Sequence, residues 1–479
     1  MDKSWTNAEQ ARALVTGATG LVGRALVESL GENVVATTRP GVETVVWDAR
    51  SPLPERALTN VGAVFHLAGE PVAEGRWSKA KKERILRSRV ESTRALVDSI
   101  LALPPSARPK VLVCASAVGI YGTRGDEELD ETRPPAEGFL ADVCRAWEEE
   151  AARAKEGGVR VVSVRIGIVF AAEGGALPKM MLPFRFGLGA TLGDGRQWMP
   201  WIHLDDLVAL LQFAAATPDL EGPMNAAAPG VVRNEEMTRA IARAVRRPAF
   251  LGAPAFALRA AMGEVADVVL ASQRVVPRVA VQHGFEFSHP TLAEALEHLV
   301  VRMQRRKAAH LRREQIIARP LDEVFAFFAE PANLERITPP FLRFRIVTPA
   351  PIPMRAGTLI DYRLSLFGVP FGWRTRIEDV KPGVQFVDTQ LRGPYSLWRH
   401  THEFVAIEGG KATRMIDHVE YVVPLGPLGK IASLAFVDRT LAKIFDYRAK
   451  VIQEIFEDRA PTPAPRMVGA AALDHGSIV

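Results

Sequence analysis

The sequence predicts an α/β protein whose first domain is a doubly wound parallel sheet with a small C-terminal subdomain, followed by a separate α+β domain. Apolar strand-like runs alternate with helical patterns from residue 12 to about residue 216, which is typical of a parallel sheet covered by helices on both faces. From about residue 221 to 301 the pattern becomes mainly helical. Beyond residue 310, one helical stretch is followed by short alternating runs typical of antiparallel strands, and a long helical pattern spans 428–458.

Composition narrows the class of protein. The 479 residues are 48% hydrophobic and 24% charged, as in ordinary globular proteins, and the formal net charge of +5 does not indicate a nucleic-acid partner. Cys114 and Cys144 are the only cysteines, so there is no disulfide framework, which favours a reducing compartment. The N-terminus lacks an apolar signal core, and no run of about 18 apolar residues occurs. We therefore expect a cytoplasmic protein without stable membrane insertion.

The change of pattern sets the expected domain boundaries. We expect a first domain over residues 1–301, a basic linker over 302–309 and a second domain over 310–458. The longer basic segment from Arg302 to Glu314 is interpreted as a solvated linker helix rather than a membrane-surface or nucleic-acid patch, because no aromatic side chains are interleaved with its cations. The Pro- and Ala-rich end, residues 459–479, is predicted to be disordered.

A glycine-rich turn follows the first predicted strand, in the string "ALVTGATGLVGRA". Gly17 permits a tight turn, Gly20 lets backbone N–H groups approach a pyrophosphate, and Gly23 lets the following helix pack close to the strand. Thr19, Leu21 and Val22 complete the turn. Because the positive end of the helix dipole then faces the phosphates, the segment predicts a dinucleotide site.

The ends of the next strands predict which dinucleotide binds. The second strand, "NVVATTR", ends in Arg39, and an arginine at this place accommodates the 2′-phosphate of NADP, whereas an acid would bind the ribose of NAD. The alternative for Arg39 is an ordinary surface cation. The third strand ends at Asp48, expected near the adenine, and the fourth is followed by Leu67, Ala68 and Gly69, expected along the cofactor. The predicted cofactor is NADP.

Residues 12–300 resemble the extended short-chain dehydrogenase/reductase superfamily, within its epimerase-like family. The strings that carry the resemblance are "TGATGLVG", "HLAGEPVAEGRW", "SRVESTRALV", "SAVGIYG", "GGALPKMMLPFRFGLGATLGDGRQWMPWIHLDDL" and "SQRVVPRVAVQHGFEFSHPTLAEAL". The resemblance implies a Rossmann-type fold in which Thr38, Arg39, Leu67, Ala68, Arg89 and Val169 contact the cofactor. Residues 247–299 resemble the small C-terminal module of this family.

The usual proton-transfer pair of that superfamily, a Tyr with a Lys four residues later, has no match here. Tyr121 is the only tyrosine in the first 361 residues, and Gly125 stands four residues beyond it. On the helix "GFLADVCRAWEEEAARA" the expected spacing is occupied by Phe139 and Val143, or by Leu140 and Cys144. We interpret Tyr121 as a packing or pocket-lining residue.

Two other residues are candidates for the chemistry. Ser116 follows the fifth strand, where the superfamily places a hydroxyl that binds the substrate oxygen. His203, in "WIHLDD", is a candidate acid–base group, although a role in fixing a strand–helix corner is the favoured alternative. Asp205 or Asp206 is expected to cap the next helix. Cys144 is interpreted as a small buried thiol, with a place in the pocket as the alternative.

Residues 310–458 resemble the helix-grip (SRPBCC) superfamily of polyketide cyclases and lipid-transfer proteins. The matching strings are "ARPLDEVFAFFAEPANLERITPP", "FVDTQLRGPYSLWRHTHEF" and "DHVEYVVPLGPLG". The resemblance implies an antiparallel sheet around a long C-terminal helix, with an apolar cavity between them. Five aromatic residues are candidates for its lining: Phe367, Phe371, Trp373, Tyr395 and Trp398.

The same strands carry a polar group, formed by His400, His402 and His418 with Asp417 and Glu420. We interpret it as paired polar faces of neighbouring strands in preference to a metal site, and we expect no metal.

These features together predict an NADP-binding epimerase- or reductase-like oxidoreductase fused to a domain that binds hydrophobic ligands. Its partner is expected to be a small apolar molecule, altered by reduction, epimerisation or dehydration at a carbon that carries oxygen. The alternative, favoured by the missing Tyr–Lys pair, is a catalytically silent protein that binds NADP and senses or holds a ligand.

Overall fold

A computed structural model describes residues 12–37, 43–366, 368–424 and 436–457. The chain divides into two compact units, residues 1–302 and 303–479, each with its own sheet.

The first unit is built on a parallel sheet of seven strands in the order β12-β7-β5-β4-β1-β2-β3. Their bounds are β1 Arg12–Thr16, β2 Val34–Thr37, β3 Glu43–Val45, β4 Val61–His66, β5 Val111–Ala117, β7 Arg160–Ile166 and β12 Gly222–Ala226. The continuous apolar runs fit this position, because strands of a parallel sheet are buried on both faces. All six residues of β4 are buried. The order 3-2-1-4-5 is that of a Rossmann-type sheet, as predicted.

Helices cover both faces of this sheet, and alternate residues of β1 show it. Ala13 and Val15 belong to one buried cluster with Leu26 and Leu207, whereas Leu14 belongs to another with Leu96. The helices of the first unit are α1 Leu21–Leu30, α2 Lys79–Leu101, α3 Phe139–Ala152, α4 Ala176–Arg185, α5 Leu204–Ala216, α6 Asn234–Val245, α7 Ala255–Met262, α8 Ala266–Leu270, α9 Arg278–Gln282 and α10 Leu292–Arg305. The predicted doubly wound arrangement is therefore confirmed.

Short strand pairs lie outside the main sheet of the first unit. Four two-stranded sheets pair β8 with β11, β9 with β14, β10 with β13 and β6 with β15. Their bounds are β6 Glu128–Leu129, β8 Ile168–Phe170, β9 Ala190–Leu192, β10 Trp198–Met199, β11 Trp201–His203, β13 Val232–Arg233, β14 Leu251–Ala253 and β15 Arg274–Val275. In the described structure the stretch 247–299 is mainly helical, as the sequence pattern indicates.

The second unit contains a seven-stranded antiparallel sheet in the order β16-β22-β21-β20-β19-β18-β17. Its strands are β16 Ala309–Ile317, β17 Arg345–Ile346, β18 Leu359–Leu366, β19 Val369–Lys381, β20 Gln385–Arg392, β21 Leu397–Ile407 and β22 Ala412–Val422. Its helices are α11 Leu321–Ala329, α12 Asn333–Arg336 and α13 Asp438–Glu457. One face of α13 is buried: Leu441, Phe445, Arg448, Ile452 and Phe456. Ile452 and Phe456 pack in one cluster with Phe386, Phe404 and Met415 of the sheet, which is the helix-grip arrangement.

The predicted basic linker is not a separate element of the structure. Residues 302–309 do not form a separate linker helix: residues 302–305 end α10, and β16 already begins at Ala309. Arg302, expected to be solvated, pairs with Glu173 and Asp205 at 2.7 and 3.1 Å, because its chain position lies on a helix that packs within the first unit. The predicted disordered tail, 459–479, lies outside the described residues. Among the helices described, none has the length and apolarity needed to cross a membrane.

Candidate functional site

The glycine turn forms a cradle at the end of β1. Gly17 has φ +71°, and a Cβ placed there would lie 2.7 Å from the Leu67 carbonyl carbon and 2.8 Å from the Ala68 nitrogen. A Cβ at Gly23 would overlap the Gly17 carbonyl oxygen. Gly20 is the N-cap of α1 and supplies no side chain to its first N–H groups. No side chain caps the first N–H groups of the helix, and glycines stand at both ends of the turn, which fits a pyrophosphate.

The loop after β4 forms the neighbouring wall of this cradle. Its Gly69 lies against Arg89 of α2, since a Cβ there would stand 3.2 Å from the Arg89 guanidinium carbon. Arg89 Nη1 donates to the carbonyl oxygens of Glu70 and Ile85 at 3.0 and 3.2 Å, which holds the guanidinium beside the loop. The structure thus brings together the glycine turn, Leu67–Gly69 and Arg89, as the resemblance implies.

Among the remaining predicted cofactor residues, the structure describes Val169 and Asp48. Val169 on β8 is partly buried and packs against the same core cluster as Leu21 and Val22 of the glycine turn. Asp48 accepts hydrogen bonds from the backbone of Ser51 and Arg50 at 2.8 and 2.9 Å, and these bonds lower the pKa of its exposed carboxyl. Thr38 and Arg39 lie outside the described residues. The choice of NADP over NAD depends on Arg39 and therefore stays a prediction.

Ser116 begins a chain of buried polar contacts at the end of β5. Its hydroxyl donates to Glu148 Oε1 of α3 at 2.6 Å. Arg165 of β7 donates from Nε and Nη2 to the two Glu148 oxygens at 3.0 and 2.9 Å. Only 3% of Ser116 is exposed. The hydroxyl predicted to bind substrate therefore has a carboxylate behind it, held in place by a bidentate arginine.

Tyr121 closes the other end of this chain. Its hydroxyl accepts from Arg165 Nη1 at 2.9 Å and donates to Asn225 Oδ1 at 2.7 Å. Burial raises the pKa of Tyr121 to about 12, so it is a protonated packing residue at neutral pH. This supports the interpretation made from the sequence.

The positions expected for the Tyr–Lys pair carry no acid–base group. Cys144 is buried, and burial, with the Glu148 charge as a smaller cause, raises the pKa of its thiol to about 11. The thiol is therefore protonated at neutral pH, which supports its interpretation as a small buried group. Leu140 stands one helical turn before it.

His203 lies in a different environment from Ser116. Its Nδ1 accepts the Asp205 backbone N–H at 3.0 Å, so His203 itself caps α5. Its Nε2 lies 3.0 Å from His298 Nδ1, and its ring stacks on His289 at 3.9 Å between centroids. Both nitrogens are engaged, which supports the corner-fixing alternative. The expectation that Asp205 or Asp206 caps this helix is wrong, because Asp206 instead accepts the backbone N–H groups of Ser288 and His289.

Glu148 and Arg165 were missed from the sequence, although each left a signal. Glu148 follows Cys144 by one helical turn, on the same helix face. Arg165 interrupts the apolar strand "VRVVSVRIGIVF", and a charge inside a buried strand needs a partner. Neither signal indicates that Glu148 and Arg165 bind each other.

The second unit contains a cavity of about 220 Å³ between its sheet and helices. Phe371, Trp373, Tyr395 and Trp398 line it, as predicted. Phe367 lies outside the described residues. The aromatic rings contact one another, with Trp398 centred 5.3 Å from Trp373 and 4.9 Å from Tyr395. The cavity wall is thus mainly apolar and suits an apolar ligand.

The polar group predicted on these strands divides between the two faces of the sheet. Asp388, His400 and His402 line the cavity, and Asp417 contacts both histidines. His418 instead lies on the exposed side, with its Nε2 3.1 Å from His310 Nδ1. Glu420 binds the Arg305 guanidinium at 3.1 and 3.2 Å. Direct cross-strand pairs also join His400 to Asp388 and His402 to Asp417, and Glu420 Oε2 lies 3.8 Å from Arg399 Nη1 on the neighbouring strand. The cross-strand interpretation therefore describes both faces of the sheet.

Comparison with family models assigns three segments. Residues 13–227 match the NAD dependent epimerase/dehydratase family. Residues 253–299 match a domain of unknown function, DUF1731. Residues 317–445 match the family described as polyketide cyclase / dehydrase and lipid transport.

Relatives with known sequences or structures match 60% of the chain. Epimerase family protein Mb2239 of Mycobacterium bovis is 40% identical over 296 residues, 97% of its length. A chloroplastic homologue of epimerase family protein SDR39U1 from Arabidopsis thaliana is 40% identical over 299 residues, 86% of its length. The crystal structure of human epimerase family protein SDR39U1 with NADPH matches with a TM-score of 0.56, at 33% identity over 60% of this chain and 99% of that chain.

These relatives leave a remainder of the chain unmatched, and residues 317–445 match a different family model. Since the mycobacterial relative is matched over nearly its whole length, the chain belongs to the epimerase family of extended short-chain dehydrogenase/reductases, joined here to a helix-grip domain of the polyketide cyclase and lipid-transport type.

Proposed function

We propose that the first unit binds NADP and transfers a hydride to or from an oxygen-bearing carbon of an apolar small molecule, and that the second unit binds the same class of molecule. The observation that carries this proposal is the Ser116–Glu148 contact at 2.6 Å, at the carboxyl end of β5, which is separated from the strand of the glycine cradle by β4 alone. Ligands of open α/β sheets bind at that edge.

The cofactor choice rests on the sequence and on a relative. The cradle of Gly17, Gly20 and Gly23 would hold the pyrophosphate, Leu67–Gly69 and Arg89 would lie along the cofactor, and Arg39 would pair with the 2′-phosphate. The human relative that matches at 33% identity was solved with NADPH. When bound, the nicotinamide supplies the hydride acceptor or donor.

The protein's own contribution is the movement of a proton. When a substrate hydroxyl is oxidised, Ser116 Oγ accepts its proton while the Ser116 proton passes to Glu148 Oε1. In the reducing direction the same two transfers run backwards and deliver a proton to the carbonyl oxygen. Arg165 keeps both Glu148 oxygens in a fixed orientation and stabilises the ionised carboxylate.

The second unit supports an apolar substrate. Its cavity of about 220 Å³ is lined by Trp373, Tyr395 and Trp398, whose rings offer flat apolar surface. Such a wall favours an aromatic or polyketide-like molecule over a sugar nucleotide, which would need many polar partners.

A second candidate is a protein that binds NADP without turnover. Leu140 and the protonated Cys144 thiol occupy the places of the usual acid–base pair, and general acid–base help is typically worth about 10²–10⁴-fold in rate. A serine relay that replaces a tyrosine is expected to be slow.

The test is oxidation of NADPH by the full chain with a panel of aromatic ketones and long-chain aldehydes. We expect slow turnover with at least one compound, and a drop of at least about tenfold in Ser116→Ala and Glu148→Gln. Ser163→Ala, a buried serine on the neighbouring strand β7, is the matched control and should keep the wild-type rate. Turnover that survives both substitutions would rule out the relay, and bound NADPH without any turnover would favour the silent candidate.

A further inference from the structure

The cavity of the second unit has one charged corner, formed by residues of three adjacent strands. We propose that Asp388, His400 and His402 bind one divalent transition-metal ion there. The juxtaposition is a carboxylate and two imidazoles whose free ligand atoms lie within 4.8 Å of one another, in a cavity that is otherwise apolar.

Strand register brings these residues together. Asp388 on β20 pairs directly with His400 on β21, and His402 stands two residues further along the same strand. Residues two apart on a strand point to the same face. His402 pairs in turn with Asp417 on β22, so the carboxylates lie on opposite sides of the two imidazoles.

Asp417 fixes which imidazole nitrogens carry protons. Its Oδ1 lies 2.9 Å from His400 Nε2 and 2.8 Å from His402 Nδ1, and a carboxylate at these distances requires an N–H on each nitrogen. Arg448 Nη2 lies 3.4 Å from the same His402 nitrogen. Acceptance of that bond by Nδ1 would set its lone pair against Asp417 at 2.8 Å, so the shorter contact decides the tautomer.

When the two imidazoles are neutral, their other nitrogens carry the lone pairs, and both of these nitrogens face Asp388. Asp388 Oδ2 lies 3.4 Å from His402 Nε2 and 3.8 Å from His400 Nδ1. Three acceptor atoms converge with no donor between them among the residues that the structure describes. Such a convergence of acceptors attracts a cation, either a proton or a metal ion.

The charge of the group favours a bound cation. Asp388 and Asp417 are negative, and Arg448, whose Nη2 lies 3.7 Å from Asp417 Oδ1, is positive. With both imidazoles neutral the group carries a net charge of −1. The five side chains are 6% to 17% exposed, and an uncompensated buried charge is costly. A proton bound between the ligands would neutralise this charge, and a divalent cation would turn it into a charge of +1, so the charge calls for a cation and the donor set decides which one.

The donor set and its support match a metal site. Two imidazoles with one carboxylate suit Fe²⁺ or Zn²⁺. Ligands about 2.1 Å from a tetrahedral metal are about 3.4 Å apart, which the Asp388–His402 separation already meets. A carboxylate that accepts the second N–H of each ligating histidine is the usual outer support of such sites, and Asp417 is so placed. Because all three ligands line the cavity, the remaining coordination positions open toward it and would take an oxygen of the ligand.

The histidine group of the first unit differs in the hydrogen bonds of its ring nitrogens. His203, His289 and His298 also lie within 4.8 Å of one another. However, His203 Nδ1 accepts the Asp205 N–H, which leaves the proton on Nε2 and directs it to His298. His203 thus has both nitrogens engaged, whereas the buried Nδ1 of His289 has no hydrogen-bond partner among the described residues. The group serves as the comparison site in the experiment.

The experiment uses the full chain stripped with a chelator and titrated with Co²⁺ and Zn²⁺. We expect one equivalent to bind, with the absorption bands of four- or five-coordinate Co²⁺ and with an affinity lowered more than about 100-fold in Asp388→Asn and His402→Gln. His289→Gln and His418→Gln should bind like the wild type. Circular dichroism and thermal unfolding of each variant establish that it folds.

Several outcomes would overturn the proposal. These are no stoichiometric uptake by the wild-type chain, uptake retained in folded Asp388→Asn and His402→Gln, or uptake lost in His289→Gln. If wild-type protein takes up no metal, the cation between the three acceptors is a proton.

Discussion

Arg165 is a buried charged residue near the carboxyl end of β7, and the neighbouring polar groups are ordered around it. It binds both Glu148 oxygens, donates to the Tyr121 hydroxyl and thereby orients the acceptor of the Ser116 proton. A buried ion pair contributes little net stability when both partners are present, yet removal of one partner leaves a costly buried charge.

Glu148→Ala is therefore expected to destabilise the first unit strongly. The Arg165 side chain is 6% exposed, so the loss should be about 3–5 kcal/mol of unfolding free energy. Urea unfolding measures it, with Glu149→Ala, an exposed neighbour on the same helix, as the control. A change below about 1 kcal/mol would show that water reaches Arg165.

His66 gives a prediction about pH. Burial lowers its pKa to about 3, against about 6.5 when unfolded, and its nitrogens contact the Thr16 and Thr93 hydroxyls at 2.7 and 3.0 Å. Between these two pH values the unfolded chain binds a proton that the folded chain does not. The stability from neutral His66 is therefore complete above pH 6.5 and falls toward pH 3, by up to about 1.4 kcal/mol per pH unit. Urea titrations from pH 7.5 to 4.5 should show a shallower slope in His66→Gln; an unchanged slope would contradict the assignment.

At the scale of elements, helix α1 combines a packing role with a binding role. Its first turn lies directly behind Gly17 and Gly20, and its far end is closed by Gly31, which has φ +74°. The two positive-φ glycines differ in their surroundings: Gly17 touches the backbone of Leu67 and Ala68, whereas a Cβ at Gly31 would meet no atom within 4 Å.

Gly17→Ala and Gly31→Ala form a matched pair. Both impose an unfavourable φ that costs roughly 1–2 kcal/mol, but only Gly17→Ala also displaces the wall of the cradle. We expect Gly31→Ala to lower the melting temperature and keep NADPH affinity, and Gly17→Ala to lose NADPH binding by at least about tenfold. Calorimetric titration of both variants distinguishes these effects, and equal NADPH affinities would remove the cradle from the binding site.

Most of the helices and strands could be predicted from the sequence, because the patterns that indicate them lie within short stretches of the chain. Buried parallel strands are apolar runs, and the glycine turn has its own spacing. The contacts Ser116–Glu148 and Asp388–His402 were not predictable, since they join residues on different elements whose relation depends on packing and register. His203 was ambiguous for the same reason: its cap of α5 and its contact with His298 become visible only in three dimensions.

At the scale of the whole molecule, two units of different class are joined in one chain. The first has the parallel sheet of the epimerase family, and the second has a helix-grip sheet with an apolar cavity. Their combination supports one account, in which a dinucleotide-dependent unit and an apolar-ligand unit act on the same class of molecule. Cofactor binding is the part of this account on which the rest depends.

The most direct test is calorimetric titration of the full chain with NADPH and with NADH, repeated on Arg39→Ala. The account predicts one equivalent of NADPH per chain, bound at least about tenfold more tightly than NADH. In Arg39→Ala this preference should fall by about 1.5–3 kcal/mol, the value of a hydrogen bond to a charged group, while NADH affinity is unchanged. Equal affinity of the wild-type chain for the two cofactors, or no binding of either, would contradict it.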